Sequence, residues 1–404
     1  MFKVWIRTAL FNFFVAACLG ALLRFAFVVE IPWLKYQFFQ HAHSHVAMLG
    51  WVYLALYALL IHTFLDEQQQ RAKVYRHLFW LTQGSVIGML VTFPLMGYAG
   101  WSIFFSTLQM LFSYVFVVRF WRDLKQSSTN SSYSRLFIKA ALVFMVLSTL
   151  ALWGMGPIIA LGYKGEPVYF MAVQFFLHFQ FNGWFLFAIL GLLFFNLEEQ
   201  GWRFPQRHYR WFFYLLVAAS VLTYALVIAW FDPLTLVFGT NSTGLVLQLG
   251  ALALFLIILK KGGQGRRLGN TFWVRFLLGL AVICFSIKIL VQSAVVFPVL
   301  AEAAYTIRNY VIGFIHLINL GIVSCFLLGY SLKHGLLDPK SGWIKMGLIL
   351  FLAGLFGSET LLFLQGTMLW AAQGFLPYYY EGIFGISSLM VVGLGLIQLS
   401  PFLR

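Results

Sequence analysis

Charge is scarce in this chain. Of 404 residues only 27 are Lys or Arg and 12 are Asp or Glu, so charged side chains make up 10% against 61% hydrophobic. A water-soluble fold of this length cannot hide so much apolar surface, and the mean hydropathy of +0.86 makes a lipid bilayer the required solvent. Cysteine is nearly missing as well. Cys18, Cys284 and Cys325 stand singly in apolar stretches, without the paired spacing of a disulfide framework or a metal knuckle, and read as packing residues. Extended polar stretches are also absent: the longest connections, Lys125 to Arg135 and Lys260 to Asn270, are short and polar or glycine-rich. They leave no room for a second soluble domain, so residues 1–404 are expected to form a single membrane domain. No basic face is laid out for nucleic acid.

What the chain does contain is apolar runs, near residues 8–29, 46–65, 78–98, 101–118, 140–162, 168–195, 211–231, 243–259, 276–300, 310–332, 346–367 and 383–402. Roughly 20 apolar residues span a hydrocarbon core of about 30 Å in a helix. The runs are too long and too continuously apolar for barrel strands, and open sheets leave backbone groups unsatisfied in lipid. The expectation is an all-α integral membrane protein of twelve transmembrane helices.

Lys and Arg then orient it. Arg71, Lys73 and Arg76 follow the second run; Arg119, Arg122, Lys125 and Arg135 the fourth; Arg203, Arg207 and Arg210 the sixth; Lys260, Lys261, Arg266 and Arg267 the eighth; Lys333, Lys340 and Lys345 the tenth. The odd-to-even connections carry only Lys35, Lys164 and Arg308. This positive-inside pattern, with Lys3 and Arg7 ahead of the first run, implies cytoplasmic N and C termini and a bacterial inner membrane. Reading the first run as a signal peptide would invert the charge parity, so it counts as a helix. The net charge of +15 is then a topology signal with some affinity for anionic lipid.

Three segments repeat one motif: HVAMLGW from His45 to Trp51, HFQFNGW from His178 to Trp184, and HLINLG from His316 to Gly321. The histidine spacings are 178 minus 45, or 133, and 316 minus 178, or 138, each close to a third of the chain. Trp80 with Trp211 and Gln109 with Gln248 echo a similar period. The pattern suggests three four-helix units, approximately residues 1–135, 136–270 and 271–404, with a histidine in the second helix of each. All three motifs then fall in the outer half of the membrane, where ionisable side chains are costly and face the protein interior. The following glycine would let a planar group or a neighbouring helix approach closely. In the second run the motif extends to His41, His43 and His45. Residues two apart on a helix differ by roughly 200°, so His43 should point away from His41 and His45. His62, His77, His208 and His334 sit at run ends and read as interfacial.

Twelve helices in three arcs of four, with histidines on the second, sixth and tenth, resembles the catalytic subunit of the heme-copper oxidase superfamily, including nitric oxide reductases. HAHSHVAMLGW also resembles the motif of the NnrS family of heme and copper membrane proteins. The resemblance implies a b-type heme between His43 (or His45) and His316, with Arg24 and Arg308 neutralising its propionates. Departures from the family are specific. Phe314 stands where a catalytic high-spin heme needs a histidine, and no histidine occurs between Tyr209 and Trp230, where the family has a copper-binding pair. The resemblance therefore implies no efficient oxygen-reducing centre and a role in electron transfer, nitric oxide handling or metal stress, in some cases beside a respiratory or redox partner subunit. His41, His45 and His178 remain a candidate set for copper or another transition metal. Lys288 and Glu359, deep in the ninth and eleventh runs, suit a proton path or a buried pair. Two other readings stand beside this one: a transporter whose intramembrane His and Glu bind protons or a metal ion, and a non-catalytic scaffold within a respiratory complex.

Overall fold

A computed structural model describes residues 1–127, 132–231, 234–263 and 268–401. Among these the chain is helical throughout, and twelve helices are long and apolar enough to cross a membrane, the signature of a multi-pass membrane protein. The spans are Phe2–Phe25, Tyr36–Phe64, Lys73–Met96, Gly100–Gln126, Tyr133–Ala160, Pro167–Glu199, Gln206–Ala229, Thr235–Gly263, Phe272–Val296, Arg308–Lys333, Gly342–Trp370 and Tyr379–Leu399. Arg266 and Arg267 and the centre of the Lys125–Arg135 connection lie outside the described residues. The second span starts ten residues before its apolar run, because HAHSH is helical and not a connection. Polar residues there are tolerated where the helix is covered by protein.

The chain gathers into two compact units. One comprises Met1–Thr129, Gly269–Leu278 and Ile307–Arg404; the other comprises Asn130–Leu268 and Gly279–Thr306. In the first unit the first span packs against the second and the twelfth, and the eleventh packs along the twelfth. Gly347 and Gly393 make that last contact possible: a Cβ on Gly393 would fall 2.6 Å from the Gly347 carbonyl. Arg7 donates to the carbonyl of Pro401 at 2.9 Å and to Ser400 Oγ at 3.2 Å, so the two chain ends meet at one end of this unit. In the second unit the fifth span packs along the sixth and the seventh along the eighth.

Three spans stand apart. The second, sixth and tenth are the most buried of the twelve. Each is also broken by a π-helical segment, Val46–Tyr53, Gln180–Phe185 and Leu317–Ser324. Each segment begins within two residues of the motif histidine, so the three sequence repeats share a backbone device. A π segment widens the helix and shifts its hydrogen bonds by one residue, a rare geometry that concentrates at functional sites.

The displaced bonds have named partners. Asn12 of the first span donates to the Gly50 carbonyl at 2.9 Å and exchanges two hydrogen bonds with Gln83 of the third. Trp51 Nε1 donates at 2.8 Å to Ser324 Oγ, which donates at 2.7 Å to the Asn319 carbonyl, joining the π segments of the second and tenth spans. Phe13 stacks on Trp51 with centroids 4.8 Å apart. The motif glycines admit neighbouring helices: a Cβ on Gly50 would meet Val86 at 2.9 Å, and one on Gly183 would meet Phe144 at 2.6 Å.

Candidate functional site

Two histidine faces leave the second span in different directions. His41 and His45 turn toward the third span and Tyr98: His45 Nδ1 donates to the His41 carbonyl at 2.8 Å, its Nε2 lies 3.3 Å from the Tyr98 hydroxyl, and its ring packs 4.4 Å from Phe93. His43 turns the other way, onto the first span. Its Nδ1 lies 2.8 Å from the Ala16 carbonyl. A carbonyl only accepts, so Nδ1 carries the proton and Nε2 keeps its lone pair for a ligand. Gly20 makes room for the ring, since a Cβ there would fall 2.9 Å from His43 Cε1.

On this side of the second span stands the tenth. His316, His43 and Arg24 are close enough to interact electrostatically, as are Arg24 and Glu359. His316 Nδ1 lies 3.3 Å from Glu359 Oε1, a charge contact too poorly aligned for a hydrogen bond, so this nitrogen and both carboxylate oxygens are buried without a hydrogen-bond partner. Orphaned buried polar atoms of this kind are costly, and a water or a bound group would satisfy them. Arg24 donates to Ser387 Oγ and to the Ile383 carbonyl at 3.5 Å. Arg308 is more peripheral: it is exposed and lies over Tyr36, 5.6 Å from the ring centroid.

The first unit thus brings His43, His316 and Arg24 together and adds Glu359, whose partner could not be read from spacing because the eleventh span reaches the tenth only through packing. Chemically the arrangement offers two imidazoles, His43 with Nδ1 hydrogen-bonded to the Ala16 carbonyl and His316 with Nδ1 3.3 Å from the Glu359 carboxylate without a hydrogen bond. An acceptor on Nδ1 fixes the tautomer, orients the ring and raises the basicity of Nε2 as a metal ligand. Gly20 accommodates the His43 ring, and two imidazoles on different spans are a donor set that a heme iron could take.

The metal set of His41, His45 and His178 is divided between the two units, the first two in one and the third in the other. His178 lies in the second unit, where Nε2 donates to the Ser220 carbonyl at 2.8 Å and Nδ1 faces Asn182 Nδ2 at 3.5 Å, so both ring nitrogens already have neighbours. His41 and His45 supply two donors from one helix. Among the described residues no group of three or more His, Cys, Asp or Glu side chains is placed to hold a metal ion.

A second histidine couple belongs to the same two spans. His62 and His334 lie with ring centroids 5.6 Å apart, and His334 stacks on Tyr330 at 4.3 Å. The separations differ by one residue, 62 minus 43 being 19 and 334 minus 316 being 18, and His334 stands one residue past the tenth span. Reading each alone as interfacial obscured the pairing.

No known protein family matches the chain, and no curated protein does.

Proposed function

We propose that this chain is a membrane b-type heme protein related in architecture to the catalytic subunit of heme-copper oxidases, with one low-spin heme between His43 and His316. The carrying observation is the juxtaposition of these two imidazoles on different spans, His43 backed by the Ala16 carbonyl and His316 by the Glu359 carboxylate. Arg24 would meet a propionate with a charge-assisted bond, and Arg308 would do so from the rim. A bis-histidine iron is coordinatively saturated and passes single electrons, so the role is electron transfer, including electron supply in nitric oxide handling or metal stress. His43 and His316 would hold the iron, the Ala16 carbonyl would fix the His43 tautomer, and Glu359 would stand beside His316.

The three π segments after the motif histidines, and the high burial of the second, sixth and tenth spans, favour three four-helix units in a pseudo-threefold arrangement. Two limits of the compact units, at Thr129 and Leu268, fall close to the repeat limits at 135 and 270, whereas Gly279–Thr306, which the repeats assign to the third unit, clusters with the second. The contact of Arg7 with Pro401 supports termini on one side of the membrane, and the positive-inside pattern favours the cytoplasmic side of a bacterial inner membrane.

One observation favours a second reading. The buried carboxylate of Glu359 beside His316 suits a proton-binding pair in a transporter. An absorption spectrum of protein purified after heme-replete expression separates the two: sharp Soret and alpha bands with about one heme per chain support the first reading, and a heme-free, fully folded protein overturns it.

A further inference from the structure

The seventh span starts on a basic surface that has no acidic partner among the described residues. Arg207 and Arg210 stand in its first two turns, both exposed, and neither forms an ion pair with a described residue. With Gln206, Trp211 and Tyr214 they line one open cavity of about 390 Å³. At about 100° per residue, Arg207, Arg210, Trp211 and Tyr214 fall within about 100° of one another around the helix, and Tyr214 lies about 10 Å farther along the axis than Arg207. The cavity therefore runs along one face of this span, with guanidinium groups at its mouth and aromatic rings farther in.

Each layer matches one part of an anionic phospholipid. The start of a span lies at the boundary between water and hydrocarbon, the depth of lipid phosphates, and Trp and Tyr concentrate there. Two guanidinium groups one turn apart on one face repel each other, and a phosphodiester between them replaces the repulsion with two charge-assisted bonds. Trp211 and Tyr214 are 54% and 58% exposed, so their rings are free to flank a glycerol backbone and the first carbons of an acyl chain. Gln206 adds a neutral donor and acceptor for headgroup hydroxyls.

The third span supplies an internal contrast. RHLFW from Arg76 to Trp80 and RHYRW from Arg207 to Trp211 are separated by 207 minus 76, or 131, and Phe79 stands where the seventh span has Arg210. The shared arginine and tryptophan suffice to anchor a helix at the interface. The second guanidinium beside Trp211 adds a clasp for phosphate. We infer that Arg207, Arg210 and Trp211, with Gln206 and Tyr214 at the edges, form a binding site for one anionic phospholipid of the phosphatidylglycerol class. The site is independent of the heme, since none of these residues belongs to the unit that contains His43 and His316.

The test is native mass spectrometry of the purified full-length protein, delipidated in a nonionic detergent and titrated with phosphatidylglycerol or phosphatidylcholine. The expected result is one phosphatidylglycerol held more tightly than phosphatidylcholine, with its affinity lowered about fivefold in Arg207→Gln and in Arg210→Gln and unchanged in Arg76→Gln. Equal affinity for the two lipids, wild-type affinity in the double variant with both Arg207→Gln and Arg210→Gln, or an equal loss in Arg76→Gln would overturn the site. Displacement of the lipid by inorganic phosphate would overturn it too, because it would assign the clasp to the free ion. Both arginines are exposed, and thermal unfolding of each variant checks that the fold persists. Should the double variant not fold, wild-type affinity in both single variants is the contradicting outcome.

Discussion

Glu359 does two things at the candidate heme site. It faces His316 Nδ1 at 3.3 Å, and it lies within electrostatic range of Arg24. A carboxylate behind a histidine ligand raises electron donation and stabilises ferric iron. Glu359→Gln is therefore expected to raise the heme midpoint potential while leaving the low-spin spectrum in place, as a redox titration would reveal; an unchanged potential separates Glu359 from the ligand. Gly20 makes a sharper demand. With a Cβ 2.9 Å from His43 Cε1, Gly20→Val should displace the ring from the Ala16 carbonyl and lower heme occupancy, read as the Soret-to-protein absorbance ratio. His334, just past the tenth span, has its pKa depressed to about 3 by burial first, then by Lys333 and His62. Its ordinary value is near 6.5, so it binds a proton in the unfolded chain before the folded one. Stability is full above about pH 6.5 and falls as pH drops toward 3, and His334→Gln should flatten that acid limb in thermal unfolding.

At the scale of elements, the π segments explain what glycine and tryptophan do in the repeated motif. Gly50 and Gly183 were candidates for admitting either a planar group or a helix, and the contacts with Val86 and Phe144 show the helix. Gly183→Ala is expected to cost about 1–3 kcal/mol through overpacking against Phe144, measured by denaturation in mixed micelles; a neutral effect would mean the fifth span yields freely. Trp51→Phe removes the bond to Ser324 and should cost about 1 kcal/mol, without loss of heme. Helix positions and the opposed faces of His43 and His45 were legible in HAHSH, because hydropathy and the 100° step are local properties. The π segments were not. Their partners include distant residues: Asn12, braced by Gln83, donates to the Gly50 carbonyl, and Trp51 donates to Ser324 in the π segment of the tenth span.

Across the whole molecule, the twelve apolar helices followed from composition, since lipid leaves few other ways to satisfy the backbone. The site was half legible. His43, His316 and Arg24 could be named from spacing and resemblance, whereas the meeting of Glu359 with His316 depends on which spans pack together, which one sequence does not encode in any local pattern. Phe314 and the lack of a histidine pair in the seventh span carry a prediction at this scale: with an artificial electron donor, the purified chain should not consume oxygen in a cyanide-sensitive way at terminal-oxidase rates, and robust uptake would contradict it. The central claim is the ligand pair, and its most direct measurement is the absorption spectrum and heme content of His43→Ala and His316→Ala beside the wild type. Two neutral imidazoles make a six-coordinate, low-spin iron, so each substitution should leave the heme five-coordinate and high-spin or lost. A wild-type low-spin spectrum at full heme content in both variants would contradict the assignment.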